Sequence, residues 1–153
     1  MRDVWLRPVN LGDIVNVMTW VNDPEVVGNF ATFETEKTED DERRYIEKMM
    51  ESENDRVFSL EDEQRHYLGQ AGIFQIHWPT RLGRLGIIIS DKNKRGMGYG
   101  HGAIREIQRV AFEEMRLHKL WLIVFEENAR ARHVYEKAGF KEEGLLKGEY
   151  LLR

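Results

Sequence analysis

The chain has 153 residues, of which 41% are hydrophobic and three are proline, so length and composition predict one folded domain over residues 1–153. The absence of cysteine excludes disulfides, zinc–thiolate sites and thiol nucleophiles, and the five histidines show no metal-ligand spacing, so no metal site is expected. The net charge of −4 argues against a nucleic-acid partner. No apolar run resembles a signal peptide or a membrane span of roughly 20 residues, and we therefore expect a cytoplasmic protein without membrane contacts.

The first third of the chain predicts one strand and two helices. Val4 to Arg7 is typical of a short strand, and Leu11 to Val21 carries apolar residues at helical spacing. A second helix is expected over residues 39–51, because Thr38 is a suitable N-cap and Asp41 follows it three positions later, as in a capping box. The chain therefore opens in the order strand, helix, helix.

The remaining elements are mostly strands, with two more helices. They are strands at Val57–Leu60, Tyr67–His77 and Leu85–Ser90, a helix over Gly100–Met115, a strand at Leu120–Phe125, a helix from Asn128 to Ala138 and a final strand at Leu145–Leu152. The nearly continuous apolar run of Leu120–Phe125 indicates a buried central strand. The order β-α-α-β-β-β-α-β-α-β predicts a mixed sheet with helices on both faces.

A glycine-rich loop near the middle of the chain is its most informative feature. The apolar run Ile87–Ile89 ends in a polar turn, and a basic loop with glycines at positions 96, 98 and 100 then opens into a helix. Glycines let the backbone approach a ligand closely, and the first turn of a helix has unpaired N–H groups at the positive end of the helix dipole. The loop therefore predicts a phosphate socket, with Lys94 and Arg95 adding charge at its rim.

Two other phosphate-binding loops fit this stretch less well. A Walker A loop needs a lysine and a serine or threonine after its last glycine, and the chain supplies no such pair. A dinucleotide fingerprint matches Gly98-x-Gly100-x-x-Ala103, but its first glycine should directly follow the strand, and here residues 91–97 intervene. Such a domain also needs several further βα units, for which too little chain remains.

Two separate motifs resemble the GNAT superfamily of acetyl-CoA-dependent N-acetyltransferases. Residues 95–100, Arg-Gly-Met-Gly-Tyr-Gly, match its Arg/Gln-x-x-Gly-x-Gly/Ala loop. Residues 128–140, Asn-Ala-Arg-Ala-Arg-His-Val-Tyr-Glu-Lys-Ala-Gly-Phe, resemble its Asn-x-x-Ala-x-x-x-Tyr-Glu-Lys-x-Gly-Phe segment. Leu-Arg-Pro at residues 6–8 and Trp-Val-Asn-Asp-Pro-Glu-Val at residues 20–26 look like the ribosomal-protein and spermidine acetyltransferase branch. The resemblance covers residues 4–143.

The resemblance implies an α/β (α+β) fold with a mixed, mostly antiparallel central sheet flanked by helices on both faces. Only 13 residues follow Phe140, so the last strand of the family is expected to be absent. A truncated chain is one explanation. The other is a homodimer in which a partner chain covers the exposed sheet edge.

The resemblance also implies acetyl-CoA as the cofactor and assigns residues to it. The backbone of Ile87–Ile89 would pair with the pantetheine arm like an added strand, and Asn128 would contact a pantetheine amide or simply cap its helix. Arg132 would reach the 3′-phosphate together with Arg130, unless both are exposed helix residues. The pyrophosphate would lie against the loop, at Lys94, Arg95, Gly96, Met97, Gly98, Tyr99 and Gly100.

Direct attack of an amine on the acetyl thioester needs a neutral amine and a proton for the departing thiolate. The resemblance assigns that proton to Tyr135, and a phenol with a reference pKa of about 10 is indeed protonated at neutral pH. Glu126 or its neighbour Glu127 could accept the amine proton directly or through water. His77 and His101 are further candidates for this base.

The sequence thus predicts an enzyme that transfers an acetyl group from acetyl-CoA to a primary amine in a ternary complex. Protein N-termini, polyamines and other small amines are candidate acceptors, and the acidic residues between 34 and 42 favour a cationic small molecule. Phe30, Phe33 and Trp78 suggest an aromatic-walled acceptor cleft. The alternative is a non-catalytic acyl-CoA-binding or sensor domain on the same fold.

Overall fold

The computed structural model describes residues 1–28 and 36–148 of the chain. Within them, five strands form one sheet in the order β1-β2-β3-β4-β5, and every neighbouring pair is antiparallel except β4 and β5. The strands are β1 (Trp5–Pro8), β2 (Arg56–Glu61), β3 (Tyr67–His77), β4 (Leu82–Ile89) and β5 (Lys119–Trp121). The helices are α1 (Ile14–Met18), α2 (Pro24–Val27), α3 (Glu39–Glu51), α4 (Tyr99–Arg109) and α5 (Ala129–Lys137). The prediction of a mixed, mostly antiparallel sheet is confirmed.

Helices cover both faces of the sheet, as predicted. The core beneath α4 includes Leu60, Leu68, Ala71, Ile73, Ile76, Leu85, Ala103, Ile104 and Ile107. The opposite face packs against α1, α2 and α3 in two smaller clusters that include Ile14, Val17, Trp20, Ile46 and Val57. Successive side chains of a strand point to opposite faces. Ile87 and Ile89 therefore pack in the core beneath α4, whereas Ile88 packs in the cluster on the opposite face.

The first predicted helix is divided into shorter pieces. Leu11–Asp13 forms a 3-10 turn capped by Asn10, and α1 ends at Met18. The separate helix α2 begins at Pro24, with Asp23 as its N-cap. Asn and Asp side chains bond to nearby backbone groups and so compete with a continuous helix, which explains the division of this polar segment.

Helix α3 agrees with the prediction at both ends. Thr38 Oγ1 accepts a hydrogen bond from the Asp41 N–H at 3.1 Å, and Asp41 Oδ2 accepts one from the Thr38 N–H at 2.9 Å. This reciprocal capping box satisfies two backbone donors that the helix itself leaves unpaired, and it fixes the start of α3 at Glu39.

A buried ion pair joins β1 to the segment before α1. Asp13 is 1% exposed, and its two carboxylate oxygens accept from Arg7 Nη2 at 2.7 Å and Arg7 Nη1 at 3.0 Å. The Arg7 Nε also donates to Glu61 Oε2 at 3.1 Å, which extends the network to β2. Because a buried charge is costly without partners, this geometry fixes how the first helices sit on the sheet.

Two predictions near the C-terminal end are corrected. The predicted strand Leu120–Phe125 is wrong beyond Trp121, since residues 122–125 form no strand although they are apolar. An apolar run becomes a strand only where a neighbouring strand pairs with it, and the pairing of β5 with β4 ends at Trp121. The predicted final strand is absent over residues 145–148, and residues 149–152 lie outside the described part of the chain.

The helix predicted over Gly100–Met115 is also two elements. The regular part, α4, ends at Arg109, and Val110–Glu114 continues it as a π-helical turn. After this turn, the Leu117 N–H donates a hydrogen bond to Ala111 O at 2.8 Å, and the chain continues into β5.

Candidate active site

The sheet opens between β4 and β5. The two strands pair over only three residues each, ending at Arg84 opposite Trp121. Beyond this point β4 continues to Ile89 and remains paired with β3 on its other side, whereas residues 122–125 form no strand. One edge of β4 from Leu85 to Ile89 therefore faces an opening instead of a neighbouring strand.

The register of β3 and β4 determines which backbone groups face this opening. The Ser90 N–H donates to Leu68 O at 2.9 Å, which identifies these two residues as a hydrogen-bonded pair. Such pairs alternate along an antiparallel ladder, so Ile88 directs its N–H and C=O toward β3. Ile87 and Ile89 direct theirs into the opening. Of the three predicted pantetheine-binding residues, Ile87 and Ile89 thus present backbone groups that are not paired with β3, and the Ile89 carbonyl oxygen accepts a hydrogen bond from Arg95 Nε.

The three loop glycines differ in their surroundings. Gly96 and Gly98 have positive φ values of 75° and 93°, a conformation that glycine adopts without strain. A Cβ at Gly96 would lie 3.6 Å from Arg130 Nη2, and one at Gly98 would lie 3.3 Å from Met1 Cα. A Cβ at Gly100 would meet no atom within 4 Å among the described residues. Only the third glycine therefore borders open space.

The N-terminus of α4 provides the unpaired donors that the sequence predicts. Gly98 is its N-cap and has no side chain to cap the helix, and the first helical bond runs from Gly102 N to Gly98 O at 3.1 Å. The N–H groups of Tyr99, Gly100 and His101 precede that bond and have no partner within the helix. Unpaired N–H groups at the positive end of a helix dipole are the kind of donors that bind anions, and here they lie at the end of the β4–α4 loop.

Lys94 and Tyr99, two loop residues predicted to bind the pyrophosphate, direct their side chains to the turn between β2 and β3. The Lys94 ammonium lies 3.8 Å from Asp62 Oδ2 and 5.6 Å from the centroid of the Tyr99 ring. Tyr99 is 3% exposed, and its hydroxyl donates to Glu63 Oε2 at 2.9 Å. The side chains of Lys94 and Tyr99 thus hold the loop to this turn, which leaves the backbone N–H of Tyr99 as its ligand group.

Arg95 and Met97 complete the predicted loop. The Arg95 guanidinium donates to the carbonyl oxygens of Ile89 and Glu25, both at 3.4 Å, so it connects the loop to the edge of β4 and to α2. Met97 is 40% exposed and has no polar side-chain group to offer. The main contribution of both positions to an anion site would come from their backbone.

Helix α5 carries three of the predicted cofactor contacts. Asn128 is its N-cap, with Oδ1 accepting from Ala131 N at 3.2 Å, so the predicted capping role is present. Arg132 donates to Glu126 O at 3.3 Å and lies 3.7 Å from Glu142 Oε2, away from the loop. Arg130 is the α5 arginine that reaches Gly96. Of the two arginines, Arg130 is therefore better placed to approach a phosphate.

The hydroxyl of Tyr135 is available as a proton donor. The side chain packs against the same core as Ile87 and Ile89, and its ring meets Phe140 edge-on with centroids 5.9 Å apart. Burial raises the pKa of Tyr135 to about 12, so the phenol stays protonated at neutral pH. Among the described residues, no hydrogen-bond partner is recorded for this hydroxyl.

Glu126 and Tyr135 share one cleft. Its volume is about 1120 Å³, and it runs along residues 119–127, one side of α5 and residues 139–148. Glu126 is exposed, and its side chain forms no hydrogen bond or ion pair with the described residues. The cleft thus brings a free carboxylate and a protonated phenol to one surface.

His77 and Trp78 lie at the end of β3, which is the opposite end of the β3–β4 ladder from Ile89. His77 pairs with Leu82 at the start of β4, about 23 Å along the strand from Ile89. The Trp78 indole donates to Glu53 O at 3.0 Å, which anchors the β3–β4 turn. Phe30 and Phe33, the other predicted walls of the acceptor cleft, lie outside the described residues.

Neither a membrane helix nor a metal cluster is found in the described ranges. None of the helices there is long and apolar enough to cross a membrane. No group of three or more His, Cys, Asp or Glu side chains in residues 1–28 and 36–148 is arranged to hold a metal ion.

Comparison with known proteins identifies the family. The Acetyltransferase (GNAT) domain model matches residues 3–141. The spermidine N(1)-acetyltransferase of Vibrio cholerae is 29% identical over 147 residues, which are 96% of this chain and 84% of that protein.

Solved structures agree with this match. The structure of spermidine N-acetyltransferase from Vibrio cholerae in complex with CoA and spermine has a TM-score of 0.92 and 27% identity, covering 99% of this chain and 88% of the other. A dodecameric structure of the Vibrio cholerae enzyme has a TM-score of 0.81 and 28% identity, covering 97% of this chain and 85% of the other. The chain belongs to the GNAT acetyltransferase family, and it is an acetyl-CoA-dependent N-acetyltransferase.

Proposed function

We propose that this enzyme acetylates a primary amine of a polyamine such as spermidine. The observation that carries the proposal is the similarity to spermidine N-acetyltransferase over nearly the whole chain, including the structure of that enzyme with CoA and spermine. The charge of the chain supports a cationic acceptor. Its net charge is −4, and Glu39 and Asp40 are exposed at the start of α3.

We place acetyl-CoA in the opening between β4 and β5, where strand pairing ends. The pantetheine amides would pair with the backbone of Ile87 and Ile89, as a peptide does when it adds a strand to a sheet edge. The pyrophosphate would accept hydrogen bonds from the N–H groups at the start of α4, beside the open space at Gly100. Arg130 would add a positive charge near Gly96, and the free Nδ2 of Asn128 could donate to the pantetheine arm.

Tyr135 and Glu126 would move the two protons of the reaction. When bound, acetyl-CoA supplies the thioester whose acetyl carbon the neutral amine nitrogen attacks. The new C–N bond forms as the C–S bond breaks, and the departing thiolate takes the proton of the Tyr135 hydroxyl. The surplus proton of the amine passes to Glu126, directly or through water. With a pKa of about 12, Tyr135 regains its proton from water at neutral pH.

We further infer that the enzyme works as a homo-oligomer in the cytoplasm. The dodecameric structure of the Vibrio cholerae enzyme supports assembly, and the sheet edge beyond β5 has no partner strand among the described residues. The cytoplasmic placement follows from the acetyl donor, which is an intracellular cofactor. Size-exclusion chromatography with light scattering should show a mass well above the 18.1 kDa of one chain. A monomer at all concentrations would contradict the assembly.

The proposed function is tested with Tyr135→Phe, which removes the proton donor and preserves the ring. The wild-type enzyme should acetylate spermidine in preference to peptide N-termini or to lysine. The variant should lose about a hundredfold in kcat. Its dissociation constant for CoA should be unchanged, because the hydroxyl contributes to proton transfer rather than to binding.

Tyr45→Phe is the matched control, since Tyr45 lies on α3 and outside the cleft. It should leave both kcat and CoA binding unchanged. If the wild-type enzyme does not acetylate spermidine, the polyamine assignment is wrong. If Tyr135→Phe retains full turnover, the assignment of Tyr135 as the acid is wrong.

A further inference from the structure

The residues before β1 contact the phosphate loop although they are remote from it in sequence. The Arg2 N–H donates to Gly98 O at 3.1 Å, and Arg2 Nε donates to Met97 O at 3.3 Å. Two glycines, Gly98 and Gly102, face this segment so closely that a side chain would be crowded. A Cβ at Gly98 would lie 3.3 Å from Met1 Cα, and one at Gly102 would overlap the backbone oxygen of Arg2. The N-terminal segment is therefore packed closely onto the loop.

The two hydrogen bonds from Arg2 orient the peptide groups of the loop. In a trans peptide the C=O and the following N–H point in opposite directions, and the described chain has no cis peptide bond. Because Met97 O faces Arg2, the Gly98 N–H points away from Arg2. Because Gly98 O faces Arg2 and Gly102, the Tyr99 N–H points away from them. The Tyr99 N–H is one of the groups to which we assign the pyrophosphate, and we add to them the N–H of Gly98, the N-cap residue that precedes it.

Glu63 holds Arg2 in this position. Its Oε1 lies 3.4 Å from Arg2 Nη1, and its Oε2 accepts from the Tyr99 hydroxyl at 2.9 Å. The Arg2 guanidinium also lies 5.6 Å from the centroid of the Tyr99 ring, within the range of a cation–π contact. The turn between β2 and β3 thus fixes the arginine and the first helical residue together.

We propose that Arg2 is a positioning residue for acetyl-CoA, which acts by orienting the Gly98 and Tyr99 N–H groups toward the pyrophosphate. It does so through the loop and with the support of Glu63, without touching the ligand. The inference rests on the proposed placement of the pyrophosphate. It assigns to the extreme N-terminus a role in donor binding that neither the glycine motif nor the catalytic residues imply.

The experiment compares acetyl-CoA with S-acetylpantetheine, which carries the same thioester but lacks the pyrophosphate. Arg2→Ala removes the Nε bond to Met97 O and the contact with Glu63 but keeps the backbone bond to Gly98 O, so it tests the orientation of the Gly98 N–H. It should raise KM for acetyl-CoA about fivefold and leave kcat unchanged. The kinetic constants for S-acetylpantetheine should not change. Arg105→Ala is the control, because Arg105 is exposed on α4 and, among the described residues, its side chain bonds to Gln108 of the same helix alone.

The variant Glu63→Gln distinguishes two roles for Arg2: orienting the loop, or attracting phosphate by its charge alone. If Arg2 only attracts phosphate by its charge, removal of the Glu63 charge should strengthen acetyl-CoA binding. If Glu63 positions Arg2 and Tyr99, the variant should weaken acetyl-CoA binding and leave S-acetylpantetheine unaffected. Stronger binding in Glu63→Gln would overturn the inference.

The wild-type enzyme distinguishes failure of this inference from failure of the proposed site. A wild-type enzyme with no preference for acetyl-CoA over S-acetylpantetheine would show that the loop holds no pyrophosphate, and both proposals would fall. A wild-type preference that Arg2→Ala leaves intact would overturn the role of Arg2 alone. Thermal unfolding of each variant identifies any loss of binding that comes from a destabilised fold.

Discussion

The two sides of β4 show how one strand serves both the fold and the site. Toward β3, the ladder runs from His77 opposite Leu82 to Gly69 opposite Ile89 and leaves no gap at the cofactor end. Toward β5, pairing stops at Arg84. The closed side uses the backbone groups of β4 for stability, and the open side keeps them available for a ligand.

This difference implies that substitutions on the two sides of β4 should affect different properties, stability on one side and cofactor binding on the other. On the closed side, and in the rest of the paired sheet, changes should lower the free energy of unfolding, because they break backbone pairing or a buried ion pair. On the open side, changes should affect acetyl-CoA with little effect on unfolding, because beyond Arg84 no strand of the described residues pairs with that edge of β4. The predictions below test that separation, from the largest expected effect to the smallest.

Gly69→Ala should destabilise the closed side strongly. A Cβ at Gly69, where φ is 153°, would overlap the backbone oxygen of Ile88 and force β3 and β4 apart. We expect the free energy of unfolding to fall by about 3 kcal/mol, as for overpacked sites. Urea unfolding followed by circular dichroism measures it. Gly144→Ala is the control, since a Cβ there meets no described atom within 4 Å. Equal stability of the two variants would contradict the close approach.

Asp13→Asn should reduce stability in a pH-dependent way. Burial alone would raise the pKa of Asp13, but hydrogen bonds from Arg7, from the Asn10 N–H and from Ser59 and Asn16 hold it below its usual value. A lowered pKa stabilises the fold above the unfolded-state pKa near 4, and that contribution is lost as the pH falls through the lower, folded-state pKa.

The variant should therefore be less stable than the wild type by about 2 kcal/mol at pH 7, the range for a hydrogen bond to a charged group. The difference should shrink as the pH is lowered below 4. Thermal unfolding of both proteins between pH 7 and pH 3 measures it. A difference that stays constant over this range would show that the charge of Asp13 contributes nothing.

Gly100→Ala, in the first turn of α4, should affect acetyl-CoA binding without lowering the stability of the fold. A Cβ at Gly100 meets no described atom within 4 Å, and alanine is a better helix former than glycine by up to about 1 kcal/mol. The variant should be at least as stable as the wild type. Its KM for acetyl-CoA should rise about tenfold, a loss of about 1.4 kcal/mol, because the methyl group enters the proposed phosphate space. An unchanged KM would place the phosphate elsewhere.

The sequence predicts local structure well where the signals are local. Strand β3 and helix α3 have the bounds that alternation and the Thr38–Asp41 capping box indicate. The strand predicted at Leu120–Phe125 is too long, because apolar residues indicate burial but not which strand will pair with them. The opening of the sheet, which creates the site, depends on that missing pairing.

The site residues show the same limit. The glycine loop and Tyr135 are found by motif; the loop opens α4, and Tyr135 lies in the cleft beside α5. The contact of Lys94 with Asp62 and the packing of Arg2 on Gly98 join segments far apart in sequence, and no local pattern marks them. Arg130 and Arg132 are equivalent in the motif, and only the fold distinguishes them.

The proposal that CoA binds at the open edge of β4 is tested by backbone hydrogen exchange at Ile87, Ile88 and Ile89, measured by NMR with and without CoA. The Ile88 N–H bonds to β3 and should be protected in both samples. The N–H groups of Ile87 and Ile89 face the opening and should exchange faster in the free enzyme, then become protected when CoA binds. Protection that does not change at these two residues on saturation with CoA would contradict the open edge of β4 as the cofactor site.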